Sequence, residues 1–168
     1  IYGRNNEGNI PQSQVAAQIA TLNSTFAGTG YTFVLASTDR TFNAQWFAMT
    51  PQTNKETQAK NALAISPATR LNFYTCKPGQ NLLGWAYFPG LSGGQEYLDG
   101  IVVDWESMPD ASNRYAGQYD LGHTATHDPL LARGLATDQR LAEAMGRGDD
   151  GLLSDAGERV RRERHPRG

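Results

Sequence analysis

The chain has 168 residues, enough for one domain with a hydrophobic core, and a formal net charge of -2 that predicts neither nucleic-acid nor membrane partners. Its single cysteine, Cys76, excludes an intrachain disulfide, and no apolar run reaches the roughly 18 residues of a membrane-spanning helix. No signal peptide is visible, and because the chain begins at Ile1 rather than at Met, we expect a processed or trimmed fragment, which is compatible with a signal segment that has been removed. The sequence leaves the oligomeric state and the role of Cys76 open.

Three helices are predicted in the first 128 residues. The first follows Pro11, and its apolar face is formed at helical spacing by Val15, Ile19, Leu22 and Phe26. A second helix is predicted over 54–64, and a third begins between 120 and 122.

Strands are predicted between these helices, where β-branched and aromatic residues alternate with turn residues. They cover 31–37, 71–75, 84–88 and 101–104. The alternation of strands and helices predicts an α/β fold with a mostly parallel or mixed sheet.

The composition changes after residue 128. Residues 1–128 contain all 16 aromatic residues, whereas 129–168 contain none and hold eight of the twelve arginines. This Arg/Gly/Ala-rich composition predicts two parts: a folded subdomain over 1–128 and an irregular or disordered tail over 129–168. The basic run at 159–167 is interpreted as a solvated tail rather than as a binding surface.

The third predicted helix begins like the zinc helix of a metalloprotease, H-E-x-x-H, and then departs from it. In that motif two histidines lie four residues apart on one helical face, beside a glutamate that acts as general base. His127 fits the first histidine and Asp128 stands where the glutamate belongs. Leu131 replaces the second histidine, and Pro129 lies inside the motif.

The chain resembles the pappalysin (cytophagalysin) family of metzincin zinc proteases in the order and spacing of seven segments within 1–128. The segments are 8–14, 18–23, 39–41 with 46–47, 71–74, 82–84 with 88–89, 99–103, and 122–127.

The resemblance implies the N-terminal half of a metzincin-like fold and a secreted, zinc-dependent endopeptidase that cleaves protein or peptide substrates. Such proteins are often calcium-bound and are made with a propeptide. The resemblance also implies that the strand ending at Ile1 and Tyr2 begins several residues earlier. It makes 99–103 the edge strand of the sheet, where Gly100, Ile101, Val102 and Val103 would bind an extended peptide.

The family's metal ligands carry over incompletely. His127 occupies the first zinc-ligand position and Asp128 the general-base position, but nothing matches the second and third histidines. An alternative outside the family's pattern is a zinc site made by His123 and His127 with Asp120 or Asp128; otherwise His123 is a surface residue and His127 a partly buried remnant. Four acidic residues suggest calcium but lack EF-hand spacing, so we interpret them as a solvated loop: Asp104, Glu106, Asp110 and Asp120.

Two explanations account for the broken motif: a degenerate protease-like protein, or a reading-frame shift after His127 that replaced the rest of the domain. Three functional hypotheses follow. The chain is a truncated and inactive metalloendopeptidase, a protease-like module that still binds extended peptides, or a non-functional product that exposes apolar surface.

Overall fold

The computed structural model describes residues 1–87, 96–109 and 121–127, without the side chains of Glu96 and His127. Asp128 and the predicted tail over 129–168 therefore lie outside the described residues. No helix in the described ranges is long and apolar enough to cross a membrane.

The described residues form three α-helices close to the predicted positions. Helix α1 spans Gln12–Thr25 and begins after Pro11, as predicted. Helix α2 spans Asn54–Leu63, and the Thr53 hydroxyl caps it by accepting a hydrogen bond from the Glu56 amide at 3.5 Å. Helix α3 is one turn long, Thr124–His127.

Three strands form a mixed sheet, which confirms the predicted mixed α/β class. Strand β1 is Phe73–Cys76, β2 is Gly84–Ala86 and β3 is Ile101–Asp104. Their order is β1-β3-β2, with β3 parallel to β1 and antiparallel to β2.

The prediction of an edge strand at 99–103 is wrong, because β3 is the central strand of this sheet. All four residues of β3 are buried. A continuous apolar run such as Ile101, Val102 and Val103 is typical of a strand covered on both faces and paired on both sides. Within the described sheet the edges are β1 and β2.

The sheet is covered on both faces, and β3 contributes alternately to the two cores. Ile101 and Val103 pack with Leu22 of α1 and Ala125 of α3. Val102 faces the other core, which includes Ala59 of α2. Ala125 is buried in the first of these cores, so the single turn of α3 is held by packing against α1 and the sheet.

The predicted strand over 31–37 is wrong for the described fold: the segment has no strand partner among the described residues. Asn23 holds Phe33 by accepting from its amide at 2.6 Å and donating to its carbonyl at 3.0 Å. Beyond this point the chain is exposed, and the Val34 side chain is 83% accessible. A sequence rich in β-branched and aromatic residues becomes a strand only where a neighbour completes its hydrogen bonds.

Ionisable groups buried around β1 predict a loss of stability at alkaline pH. Burial raises the pKa of the Cys76 thiol from 9.0, and that of the Tyr74 phenol from 10.0, to about 12 each. Burial and the neighbouring Glu56 also raise the pKa of Tyr87 to about 12. In the unfolded state these groups have their ordinary pKa values of 9.0 and 10.0, so they lose their protons at a lower pH than in the folded state. Their contribution to the free energy of unfolding is therefore complete below pH 9 and is lost progressively as the pH rises to about 12.

We therefore expect the melting temperature to fall as pH rises from 9 to 12. Lys60 acts in the opposite sense, because burial lowers its pKa. The control is Tyr74→Phe, which removes one of these phenols; its buried hydroxyl has no hydrogen-bond partner among the described residues. Calorimetry from pH 8 to 12 should show a shallower decline for this variant, and identical slopes would contradict the assignment.

Candidate functional site

Helix α3, which carries the first position of the broken zinc motif, is docked against α1 and the sheet. Ala125 is 1% exposed and packs in the core beside Leu22. The buried Gln18 side chain donates from Nε2 to the Gly122 carbonyl at 3.0 Å. These contacts fix the start of α3 relative to α1.

Strand β2 and α3 approach each other closely at Gly84. A Cβ atom at Gly84 would lie 2.6 Å from the Val102 carbonyl oxygen and 3.3 Å from the Thr124 methyl group. The contact with the Val102 carbonyl makes glycine necessary for β2 to approach β3 this closely, and the absence of a side chain also leaves room for Thr124 of α3. The broken zinc motif and an edge of the sheet are thus neighbours.

The structure describes only some of the predicted metal ligands. His123 is exposed just before α3, and its carbonyl accepts hydrogen bonds from the Thr126 amide and hydroxyl, both at 2.9 Å. His127 ends α3, and its side chain, like Asp120 and Asp128, lies outside the described residues. The described ranges contain no group of three or more His, Cys, Asp or Glu side chains that could hold a metal ion. A catalytic zinc ion needs three protein ligands, and of the four candidates the structure describes only the His123 side chain.

The interpretation of the acidic residues as a solvated loop is wrong for two of them. Asp104 and Glu106 are 2% and 7% exposed. Asp104 accepts from the Glu106 amide at 3.0 Å and so caps the 3-10 helix Trp105–Ser107, while Glu106 lies 3.8 Å from the Lys77 ammonium. Both have protein partners instead of solvent. Asp110 lies outside the described residues.

Residues 100–103, which are predicted to bind peptide, lie in or directly before β3, the central strand of the sheet. The Ile101 amide donates to the Asn72 carbonyl at 2.9 Å, and β3 is paired on both sides. Strand addition needs a free edge, which within the described sheet lies on β2. The Asp104 amide donates to the Leu83 carbonyl at 2.7 Å, so by antiparallel alternation the backbone groups of Gly84 and Ala86 point away from β3.

A buried ion pair beside β2 was not predicted from the sequence. Lys60 and Glu56 are 0% and 1% exposed, with Nζ 3.1 Å from Oε1. Glu56 also accepts from Trp85 Nε1 and from the Tyr87 hydroxyl, both at 2.7 Å. Lys60 donates to the Leu98 carbonyl at 2.7 Å. The pair therefore ties α2 to the edge strand and to the 3-10 helix Glu96–Leu98.

Two signals in the sequence could have indicated this network. Glu56 and Lys60 are four residues apart on a predicted helix, a spacing usually interpreted as an exposed pair. Trp85 and Tyr87 are two residues apart and so face the same side of an extended chain. The sequence does not show that these two pairs of residues meet, because they are brought together only in the folded chain.

The chain is similar in sequence to extracellular metalloproteases of several organisms. It is 34% identical over 124 residues to an extracellular metalloprotease of Podospora anserina, which covers 72% of this chain and 41% of that protein. It is 36% identical over 124 residues to one of Colletotrichum graminicola, covering 72% and 42%. It is 36% identical over 126 residues to one of Verticillium alfalfae, with the same shares.

The similarity thus extends over nearly three quarters of the chain, but the chain spans only about two fifths of these relatives. No family model matches the chain, and no solved structure matches it significantly.

Proposed function

We propose that this chain is the N-terminal part of an extracellular zinc metalloendopeptidase of the pappalysin type, and that its 168 residues are catalytically inactive. The observation that carries the proposal is the identity of 34–36% to extracellular metalloproteases, combined with Leu131 at the second histidine position. His127 and Asp128 are the remnants of the zinc ligand and the general base in this proposal. The incomplete donor set leaves no step of peptide hydrolysis that these residues perform.

We expect less than about 0.1 zinc ion per chain after dialysis, and no cleavage of casein, because a catalytic zinc needs three protein ligands. Elemental analysis and a fluorescent casein assay measure the two quantities. His123→Ala is the control for the alternative site, since it removes one of the two histidines while leaving His127. One zinc per chain that His123→Ala removes, or casein cleavage that a chelator blocks, would contradict the proposal.

A second candidate function is peptide binding without turnover, at the outer edge of β2. Supporting it, the outward backbone groups of Gly84 and Ala86 can pair with an added antiparallel strand, and no other strand of the described residues pairs there. The Trp85 indole and the Tyr87 hydroxyl donate hydrogen bonds to Glu56, which anchors this strand to α2. This moves the predicted peptide site from 100–103 to 84–86.

Ala86→Pro tests this second function, because it removes one outward amide and leaves the pairing of Trp85 with Val102 in place. We expect at least fivefold weaker binding of fluorescein-labelled unfolded casein, measured by anisotropy. Thr75→Pro, on the opposite edge of the sheet, is the matched control and should bind as the unmodified chain does. Equal binding by the Ala86→Pro variant would rule out the β2 edge.

A further inference from the structure

One motif of the sequence has no part in the proposed protease function. Asn23, Ser24 and Thr25 form the single Asn-x-Ser/Thr sequence in the 168 residues, the motif at which secreted proteins receive N-linked glycans. The motif lies at the end of α1. Ser24 and Thr25 are exposed, and Asn23 is half-buried. The motif therefore lies at the surface, while its acceptor side chain also contacts the protein.

The side-chain amide of Asn23 binds the backbone of one residue with both its oxygen and its nitrogen. Oδ1 accepts a hydrogen bond from the Phe33 amide at 2.6 Å, and Nδ2 donates one to the Phe33 carbonyl at 3.0 Å. Nδ2 carries two hydrogens, one on the same side of the amide as Oδ1 and one on the opposite side. Because both bonds go to Phe33, the donated hydrogen is the one on the side of Oδ1.

These two bonds, which we call the Asn23 clamp, hold Phe33 where its ring enters the core. Phe33 is 7% exposed and packs in one core with Leu22 and Phe26. The rings of Phe26 and Phe33 have centroids 5.5 Å apart. The next residue, Val34, is 83% accessible. The clamp is therefore the point at which the chain passes from the core to an exposed segment.

A glycan on Nδ2 would replace the hydrogen that makes the clamp. Glycosylation turns the side chain of Asn23 into a secondary amide, which strongly prefers the trans form, as a peptide bond does. In the trans form the first sugar lies on the same side of the amide as Oδ1. The Phe33 carbonyl lies on that side at 3.0 Å from Nδ2, so the sugar and the docked Phe33 would occupy the same space.

We propose that Asn23 is an N-glycan acceptor that is open only while Phe33 is undocked, so that a glycan there and the Asn23 clamp exclude each other. In the transfer step, Nδ2 forms a bond to C1 of the first sugar of a lipid-linked oligosaccharide diphosphate. The bond between C1 and the diphosphate oxygen breaks, and Nδ2 loses one proton to solvent. The inference rests on the extracellular part of the proposed function, because secretion brings the chain to such a donor.

The test uses the full 168-residue chain, made with a cleavable secretion signal in a eukaryotic host that adds high-mannose glycans. Thr25→Ala and Thr25→Ser are the matched variants: both keep the Asn23 side chain, but only Thr25→Ser keeps the glycosylation motif. We expect an endoglycosidase to change the electrophoretic mobility of the unmodified chain and of Thr25→Ser, but not of Thr25→Ala. Cell extract and medium are both analysed, so that a chain retained in the cell is also counted.

A second measurement tests whether the glycan and the clamp exclude each other. The endoglycosidase leaves one sugar on Asn23, and chymotrypsin cleavage after Phe33 is then followed by mass spectrometry. We expect cleavage at least tenfold faster in this trimmed chain than in Thr25→Ala, which keeps the clamp, because proteolysis depends on how often the site opens. Asn23→Ala, which has neither clamp nor glycan, should be cleaved within about threefold of the rate of the trimmed chain.

Two results would overturn the proposal: an unmodified chain without a glycan in both cell extract and medium, or a trimmed chain whose Phe33 is as protected as in Thr25→Ala. If Asn23→Ala fails to fold by circular dichroism, the comparison of the trimmed chain with Thr25→Ala still decides. The zinc and casein measurements test the proposed function separately. The added secretion signal takes the chain to the glycan donor whatever their outcome, so the two failures are distinguishable.

Discussion

The Glu56→Ala variant is expected to lose about 3–5 kcal/mol of unfolding free energy, the cost of removing one partner of a buried ion pair. The substitution leaves the Lys60 ammonium, which is 0% exposed, without its carboxylate. It also removes the acceptor of the Trp85 indole, the Tyr87 hydroxyl and the Gln52 amide. Urea unfolding followed by tryptophan fluorescence measures the loss.

The matched control for this variant replaces both charges, as Glu56→Leu with Lys60→Met. Because the double variant leaves no buried charge unpaired, we expect it to lose less than half as much unfolding free energy as Glu56→Ala. A Glu56→Ala variant within about 1 kcal/mol of the unmodified protein would mean that water reaches the pair.

The Gly100→Ala variant is expected to lose about 3 kcal/mol, from an unfavourable backbone angle and from a clash with backbone. Gly100 has a φ of +120°, and an added Cβ atom would lie 2.4 Å from the Asn72 carbonyl oxygen. That carbonyl accepts the hydrogen bond from the Ile101 amide, so the clash would separate β1 from β3. Thermal unfolding at pH 7 is the measurement.

Gly28→Ala is the control for Gly100→Ala. Gly28 has a φ of +81°, but nothing lies within 4 Å of the added atom, so only the conformational cost of about 1 kcal/mol applies. Equal losses in the two variants would show that the contact with Asn72 does not matter. The predicted substrate role of Gly100 would instead give weaker peptide binding at unchanged stability.

The elements that the sequence predicted correctly are those whose signals are local. Helix α1 follows Pro11, helix α2 follows a capping threonine, and β3 is a continuous apolar run. The strand order depends on which segments meet, and nothing within 99–103 distinguishes an edge strand from a central one. Residues 31–37 have the composition of a strand, but their state depends on a neighbour that local sequence does not specify.

In the candidate site, too, the sequence predicts features that lie in consecutive residues and misses those that depend on contacts in the fold. Spacing alone predicts His127 as a ligand position and the break at Leu131, because the zinc motif is contained in a few consecutive residues; this stays a prediction, since the His127 side chain and Leu131 lie outside the described residues. The Glu56–Lys60 network joins residues from α2, β2 and the segment before β3, separated by 29–38 positions along the chain. Sequence spacing cannot reveal such a contact, and neither can it show that Asp104 and Glu106 are buried.

The Glu56–Lys60 pair also brings Tyr87 and Leu98 to one buried point of the molecule. The Tyr87 hydroxyl binds Glu56, and the Leu98 carbonyl binds Lys60. Both contacts depend on helix α2, so local unfolding of α2 would release the two segments together rather than one at a time.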